Sequence, residues 1–420
     1  MFNWLILIFV FLIPLENKTS VWLNFGGGIN LTNIFIFLLI IIWIIRGFNN
    51  RSLVIKNELN FPIVLFILLI TLSIFTGYVK LGISFFGDEF RVFKSLISTF
   101  LLFFIVANNI SKKRDMVRIV GVISFMIVFV SLLSIKEFRG ADIYHYDEGS
   151  RIELFGMQPN MLGAFFAQYI PIFAALFLML KKLRARIFYL FLFSICAPGL
   201  MFTYSRGAYL GLMGALVMMA ILGGAKSFRR STLLIVFAFC AISLLFGRGH
   251  LIPVSVKERF DMIKDPGEDK SVALRKEAWA LAKEYIRQSP LIGQGYGASD
   301  QLLYLESIKG QLDTHNMYLD IAMESGIPAV LVFMWMIIKA ILTSVKAYRR
   351  TDDDFYKAIC LGCIGSVAAL AIGNYFGTRL TLLAVNGYFG ILLGLVARIR
   401  YIEQTDLAKA KKGAKNNSKW

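Results

Sequence analysis

Apolar runs close to the roughly 20 residues that cross the hydrocarbon core of a bilayer recur along almost the whole chain, broken by short polar punctuation. Twelve fall at about 3–16, 30–46, 60–78, 91–109, 116–135, 159–180, 187–204, 207–225, 231–247, 327–344, 357–376 and 379–398. The first is short enough to be the apolar core of a signal peptide. It lacks a basic leader and a small-residue cleavage site, so it reads as a helix. One stretch breaks the rhythm: residues 248–326 are rich in polar side chains and hold no run long enough to span. The pattern predicts an all-α fold, a polytopic transmembrane bundle of about 12 spans carrying one large helical loop. It divides into spans 1–9 (1–247), the loop (248–326), spans 10–12 (327–400) and a disordered Lys/Asn-rich basic tail (401–420).

A hydrophobic content of 57% and a mean hydropathy of +0.66 exceed what a soluble chain of 420 residues needs. The formal charge of +18 invites a nucleic-acid partner until the basic residues are placed. They alternate along the chain. Arg46, Arg51 and Lys56, then Lys112, Lys113, Arg114 and Arg118, then Lys181, Lys182, Arg184 and Arg186 follow even-numbered spans, as do Lys226, Arg229 and Arg230 and later Lys346, Arg349 and Arg350. By the positive-inside rule these loops are cytoplasmic, as are both termini. The charge therefore records topology and an affinity for anionic membrane lipids, not nucleic acid. The loop at 248–326 then lies outside the cell membrane, nearly neutral with ten basic and twelve acidic residues. Cys196, Cys240, Cys360 and Cys363 all lie within predicted spans, so no disulfide is expected in the external loops. The Cys360-x-x-Cys363 spacing on an apolar helix reads as small-residue packing.

Charges beside apolar spans on the external side are the first functional candidates. Arg206 sits in Thr203-Tyr204-Ser205-Arg206-Gly207, a tight turn between spans 7 and 8, where Gly207 permits the turn or a close backbone approach. An interfacial arginine that merely snorkels to water is the alternative. In the large loop, residues 271–289 read as an amphipathic helix ended by Pro290, with Arg275 and Trp279 one turn apart on one face. Gly293, Gly295 and Gly297 follow as a flexible turn; they come after a helix, not a strand, so they are no dinucleotide fingerprint. Asp313-Thr314-His315-Asn316 opens a short helix, with Asp313 or Thr314 as its cap and His315 in its first turn; Gly326 and Pro328 stop it before the next span. Exposed histidines are usually solvated side chains, but His315 stands on the same side as both arginines. His145 and His250 fall in unpatterned loops. The external acids, Asp313, Asp320 and Glu324 among them, show no metal-ligand spacing.

The segments Tyr204-Ser-Arg206-Gly207, Arg275-x3-Trp279 followed by Pro290-x2-Gly293-x-Gly295, and His315-Asn316-x9-Gly326 occur in the order and topology of the O-antigen ligase and polymerase superfamily, which the chain resembles over roughly residues 150–345. Gly156-Met-Gln-Pro159-Asn160 is similar to that family's Pro-Asn motif. The resemblance implies a membrane glycosyltransferase of the bacterial inner (cytoplasmic) membrane, active on its extracytoplasmic face. It would transfer a glycan from an undecaprenyl-diphosphate-linked donor to a lipid or glycan acceptor by an inverting, metal-independent route with no cofactor. In that reading Arg206 and Arg275 bind the diphosphate and stabilise its developing charge. His315 is the general base, a residue type whose ordinary pKa of about 6.5 suits it to the task. Asn316, Tyr318 and Asn160 contact the substrate. One departure stands out: after Gly326 the chain reads Ile-Pro-Ala329-Val330-Leu331, where ligases often carry a second glycine and two threonines. A repeat-unit polymerase, which needs the same diphosphate site, therefore stays beside the ligase. A transporter would place its charges at mid-bilayer on broken helices; here they gather at one surface.

Overall fold

The computed structural model describes residues 2–22, 30–49, 51–82, 88–138, 151–224, 270–305, 312–378 and 380–417. Its helices in chain order are α1 (Phe2–Leu12), α2 (Glu16–Trp22), α3 (Leu31–Asn49), α4 (Asn60–Leu81), α5 (Asp88–Asn109), α6 (Lys113–Phe138), α7 (Pro159–Met179), α8 (Leu183–Met201) and α9 (Arg206–Leu222). They continue with α10 (Lys270–Gln288), α11 (Ala298–Leu305), α12 (Met317–Arg350), α13 (Asp354–Gly373) and α14 (Leu383–Asn417). Ten helical stretches are long and apolar enough to cross a membrane, and α9 is a shorter apolar one. These match eleven of the twelve predicted runs. The run at 231–247, with Cys240, lies outside the described residues, as do His145 and His250. Among the described residues the only extended pairing is an isolated bridge between Leu154 and Met157.

Burial sorts the helices into a centre and a rim. In α7, 94% of the apolar window is buried, against 22% in α3, so α7 forms the axis and α3 turns Phe37, Ile45 and Phe48 outward. Around α7 pack α8, α9 and α13, while α14 packs on α5. Lipid is as apolar as leucine, so helix association here depends on close packing, which small residues permit. A Cβ on Gly390 of α14 would lie 1.9 Å from the Thr99 carbonyl oxygen of α5. Cys360 and Cys363 are fully buried on α13 within this packing, where Gly362 lies against the Ile172 backbone. Tyr169 joins α7 to α14 by entering the α14 ladder: its hydroxyl donates to the Val385 carbonyl at 2.5 Å and accepts from the Phe389 N–H at 3.0 Å. At the end of α5, Arg398 donates to the Ile110 carbonyl at 2.5 Å, a cation at a helix C-terminus where the dipole favours it.

Two local expectations change, and a third holds. The first run does not form one helix: α1 stops at Leu12, Pro14 sits in a 3-10 turn over Ile13–Leu15, and α2 continues to Trp22. The tail is not irregular from residue 401, because α14 runs on to Asn417. Leu, Ala and Lys dominate Leu407–Lys415 and are strong helix formers, so propensity carries the helix past the packed portion. The break expected at Gly326 is present: the helix from Met317 and span 10 meet there, within α12, at a kink with non-helical dihedrals (φ 83°, ψ 167°).

Candidate active site

The arginine turn is built from buried aromatic packing. Phe138 stacks on Phe202 at 3.6 Å and lies 6.3 Å from Tyr204. That packing holds Tyr204 fully buried with φ +50°, a left-handed backbone uncommon outside glycine. The Thr203 hydroxyl donates to the Leu200 carbonyl at 2.7 Å, and Ser205 stands at the N-cap position of α9 without a side-chain cap bond, so Arg206 emerges half-buried as the first residue of the helix. Gly207 has ordinary helical backbone; its role is close approach, since a Cβ there would lie 2.6 Å from that of Phe376. Gly163 of α7 does the same from the other side, 2.9 Å from Thr203, Ser205 and Ala208.

A third arginine joins this turn. Arg151 donates through Nε to the Thr203 carbonyl at 3.2 Å and through its terminal nitrogen to Asn160 Oδ1 at 2.7 Å. Pro159 opens α7 at a position suited to proline, and Asn160 follows it. Asn160, expected to meet substrate, is thus bound to Arg151 in the structure. Sequence reasoning passed over Arg151 because it sits in an unpatterned loop beside residues 139–150, which lie outside the described residues.

The histidine segment differs from its expectation. Asn316, not Asp313 or Thr314, caps α12, accepting from the Tyr318 and Leu319 N–H groups at 3.0 and 3.3 Å. His315 therefore precedes the helix, with φ +47°. Asp313 grips it twice: one oxygen accepts from the His315 N–H at 2.7 Å, and the other lies 3.0 Å from Nδ1. Burial alone would raise the Asp313 carboxyl. The hydrogen bonds and charge of His315, with the charge of Arg275, outweigh it and hold the carboxyl below its ordinary range. Asn316 is buried in its capping role, and the Tyr318 hydroxyl donates to the Ala371 carbonyl at 2.8 Å. Both side chains spend polar atoms on the fold.

The amphipathic helix α10 brings Arg275 to this segment. Trp279 donates through Nε1 to the Thr314 carbonyl at 2.7 Å and packs edge-on against Tyr375 at 5.8 Å. Tyr375 in turn meets Phe376 at 5.1 Å, and Phe376 abuts Gly207. A continuous chain of contacts so links α10, the His315 segment, the Tyr375-Phe376 turn after α13 and the Arg206 turn. Met317 N–H adds a 2.8 Å bond to the Asn374 carbonyl. The glycine turn that looked flexible is clamped. Its N–H groups reach the Met323, Glu324 and Ser73 carbonyls at 2.7, 2.9 and 3.0 Å, and Lys80 donates to the Gly293 carbonyl at 2.9 Å.

Beside Asp313 lies a cavity of about 240 Å³, whose polar wall includes Ser299, Asp300, Thr314, Asp320, Glu324 and Thr378. Asp320 is buried and accepts from the hydroxyls of Thr314, at 2.5 Å, and Thr378. Glu324 accepts from Ser299 at 2.5 Å. Among the described residues no cluster of three His, Cys, Asp or Glu could hold a metal ion.

Residues 189–334 match the family described as O-antigen ligase. That stretch contains Arg206, Arg275 and His315, and leaves out Pro159-Asn160. No curated protein matches the chain.

Proposed function

We propose, from the match of residues 189–334 to the O-antigen ligase family, that this chain is a membrane enzyme of the O-antigen ligase and polymerase type and transfers a glycan from an undecaprenyl-diphosphate donor to an acceptor hydroxyl at the extracytoplasmic membrane surface. The observation that carries the reading is the Asp313–His315 pair, docked through the Trp279–Thr314 hydrogen bond against the helix that bears Arg275. A carboxylate on Nδ1 fixes the imidazole and leaves Nε2 to take a proton, the division of labour familiar from hydrolase triads.

In the proposed step the acceptor oxygen attacks the anomeric carbon while His315 Nε2 takes its proton. The anomeric C–O bond to the diphosphate breaks, and the electron pair leaves with the diphosphate. Arg206 and Arg275 receive that growing charge, because guanidinium groups bind phosphate oxygens in a two-pronged geometry. Arg151 supports Arg206 at one remove, by holding the Thr203 carbonyl of its turn. The cavity beside Asp313 offers carboxylate and hydroxyl groups to a hydroxyl-rich acceptor. A ligase and a repeat-unit polymerase share every one of these parts and differ in the acceptor. A deletion strain tells them apart: long carrier-linked chains accumulate if a ligase is lost, single repeat units if a polymerase is lost.

The mechanistic test uses Arg206→Ala, Arg275→Ala and His315→Ala in purified, membrane-inserted enzyme with a carrier-linked donor. Each is expected to lower the transfer rate by about 10²–10⁴ at unchanged expression. Near-normal turnover in His315→Ala would sink the general-base assignment.

A further inference from the structure

On the rim of the bundle, away from the arginine and histidine segments, α1 and α6 diverge around a groove of about 520 Å³. Its walls are apolar, formed by Trp4, Ile8 and Phe11 of α1 and by Gly121 and Phe125 of α6, with Arg118 at one end. The floor is Gly121, where an added Cβ would meet nothing within 4 Å. Glycine inside a helix costs about 1 kcal/mol relative to alanine, and among the described residues no neighbour requires it. The missing side chain leaves the groove open at this point. The far end is closed by Phe11 stacked on Phe125 at 6.3 Å.

The polar end is built for an anion. Arg118 lies 3.6 Å from Asp115 and 5.9 Å from the Trp4 ring, contacts that hold the guanidinium at the mouth. A guanidinium carries five donors in a fixed fork, so one carboxylate at 3.6 Å does not exhaust it. Lys112, Lys113 and Arg114 stand at the same end of α6, and Lys113 is committed to Asp353. From Arg118 to Phe125 the groove runs about 10 Å along the helix, within the roughly 15 Å depth of one leaflet's hydrocarbon.

We propose that this groove is a binding site for one anionic phospholipid, its phosphate on Arg118 and an acyl chain lying over Gly121 between Trp4 and Phe125. The charge at the mouth selects an acidic headgroup, and the apolar trough takes the chain. A site of this kind is separate from the donor's diphosphate site and does not depend on the reading above.

Trp4 supplies the probe, being 66% exposed and in the trough itself. The full chain is reconstituted in vesicles of phosphatidylcholine with 20 mol% of either brominated phosphatidylglycerol or brominated phosphatidylcholine, a choice set by roughly equal bulk contact. The Trp4 emission is taken as the difference between wild type and Trp4→Phe. Brominated phosphatidylglycerol is expected to quench it with about five-fold higher apparent affinity than the neutral lipid, the scale of one basic residue's attraction to acidic lipid. Arg118→Gln should erase that preference. Gly121→Leu, which the open space accommodates, should protect Trp4 from both lipids while circular dichroism stays unchanged. Equal quenching by the two lipids in wild type would reduce the groove to ordinary lipid contact and overturn the proposal. Selective quenching that survives Gly121→Leu would do so too.

Discussion

His315 holds a backbone conformation that most residues avoid. A left-handed residue costs about 1–2 kcal/mol outside glycine, while glycine loses about 0.4–1 kcal/mol through its freer unfolded chain. His315→Gly also loses the half-exposed contact from Nδ1 to Asp313, worth about 0–1 kcal/mol, so it should leave thermal stability nearly unchanged while transfer falls with the loss of the imidazole. A thermal-unfolding midpoint measured beside the transfer rate separates the two effects. Asp313 supports a different prediction. Its carboxyl is held below the ordinary 3.8, so its contribution to stability is complete above that pH and drains away as pH falls through the depressed value. The difference in unfolding midpoint between wild type and Asp313→Asn should therefore be present near neutrality and vanish in strong acid. At neutral pH the same variant should lower kcat more than it raises KM. The loss should be smaller than the roughly 10⁴ that follows replacement of a buried triad carboxylate, because Asp313 is half-exposed.

At the scale of elements, the glycine turn after α10 shows what local sequence conceals. Gly295 has φ +117°, and a Cβ there would stand 2.1 Å from the Gly77 backbone of α4. Overpacking of this kind costs about 1–3 kcal/mol, beyond the strain of the dihedral itself. Gly295→Ala is expected to lower the thermal midpoint and the transfer rate together, since the displaced turn carries α10 and Arg275 with it. The turn's glycines and Pro290 were legible; its rigidity was not, because the carbonyls of Ser73, Met323 and Glu324 and the amine of Lys80 that clamp it lie on α4 and α12, far away in the chain. The same reason hid the Tyr375-Phe376 turn, which reads locally as the end of an apolar run yet joins Trp279 to Gly207. Periodicity, by contrast, marked α10 and the break at Gly326, features decided by neighbours within a few residues. His315 was singled out for its position in the chain, but its cap was misplaced by two residues or more. Asn316 and Asp313 are both good capping residues, and only the fold shows that Asp313 serves the imidazole instead.

For the molecule as a whole, the apolar runs alone placed eleven of the twelve predicted spans on described helices, because a bilayer imposes a length rule that acts segment by segment, and the alternating basic loops add an expectation of sidedness. Sidedness follows from the same rule and can be measured. In a chain whose four cysteines are replaced by serine, a membrane-impermeant maleimide applied to intact cells should label Asp313→Cys and spare Arg349→Cys. The reverse pattern would invert the topology and move the proposed reaction to the cytoplasm.

Phe376 reaches Gly207 from a part of the chain made after every matched motif is complete. When a ribosome has finished α12, the arginines and the histidine have all been synthesised, but the piece that braces them against one another is still missing. A chain ending near Arg350 would hold Arg206, Arg275 and His315 without the brace that Tyr375 and Phe376 supply, so on the proposed reading such a truncation should have lost transfer even where it still inserts in the membrane.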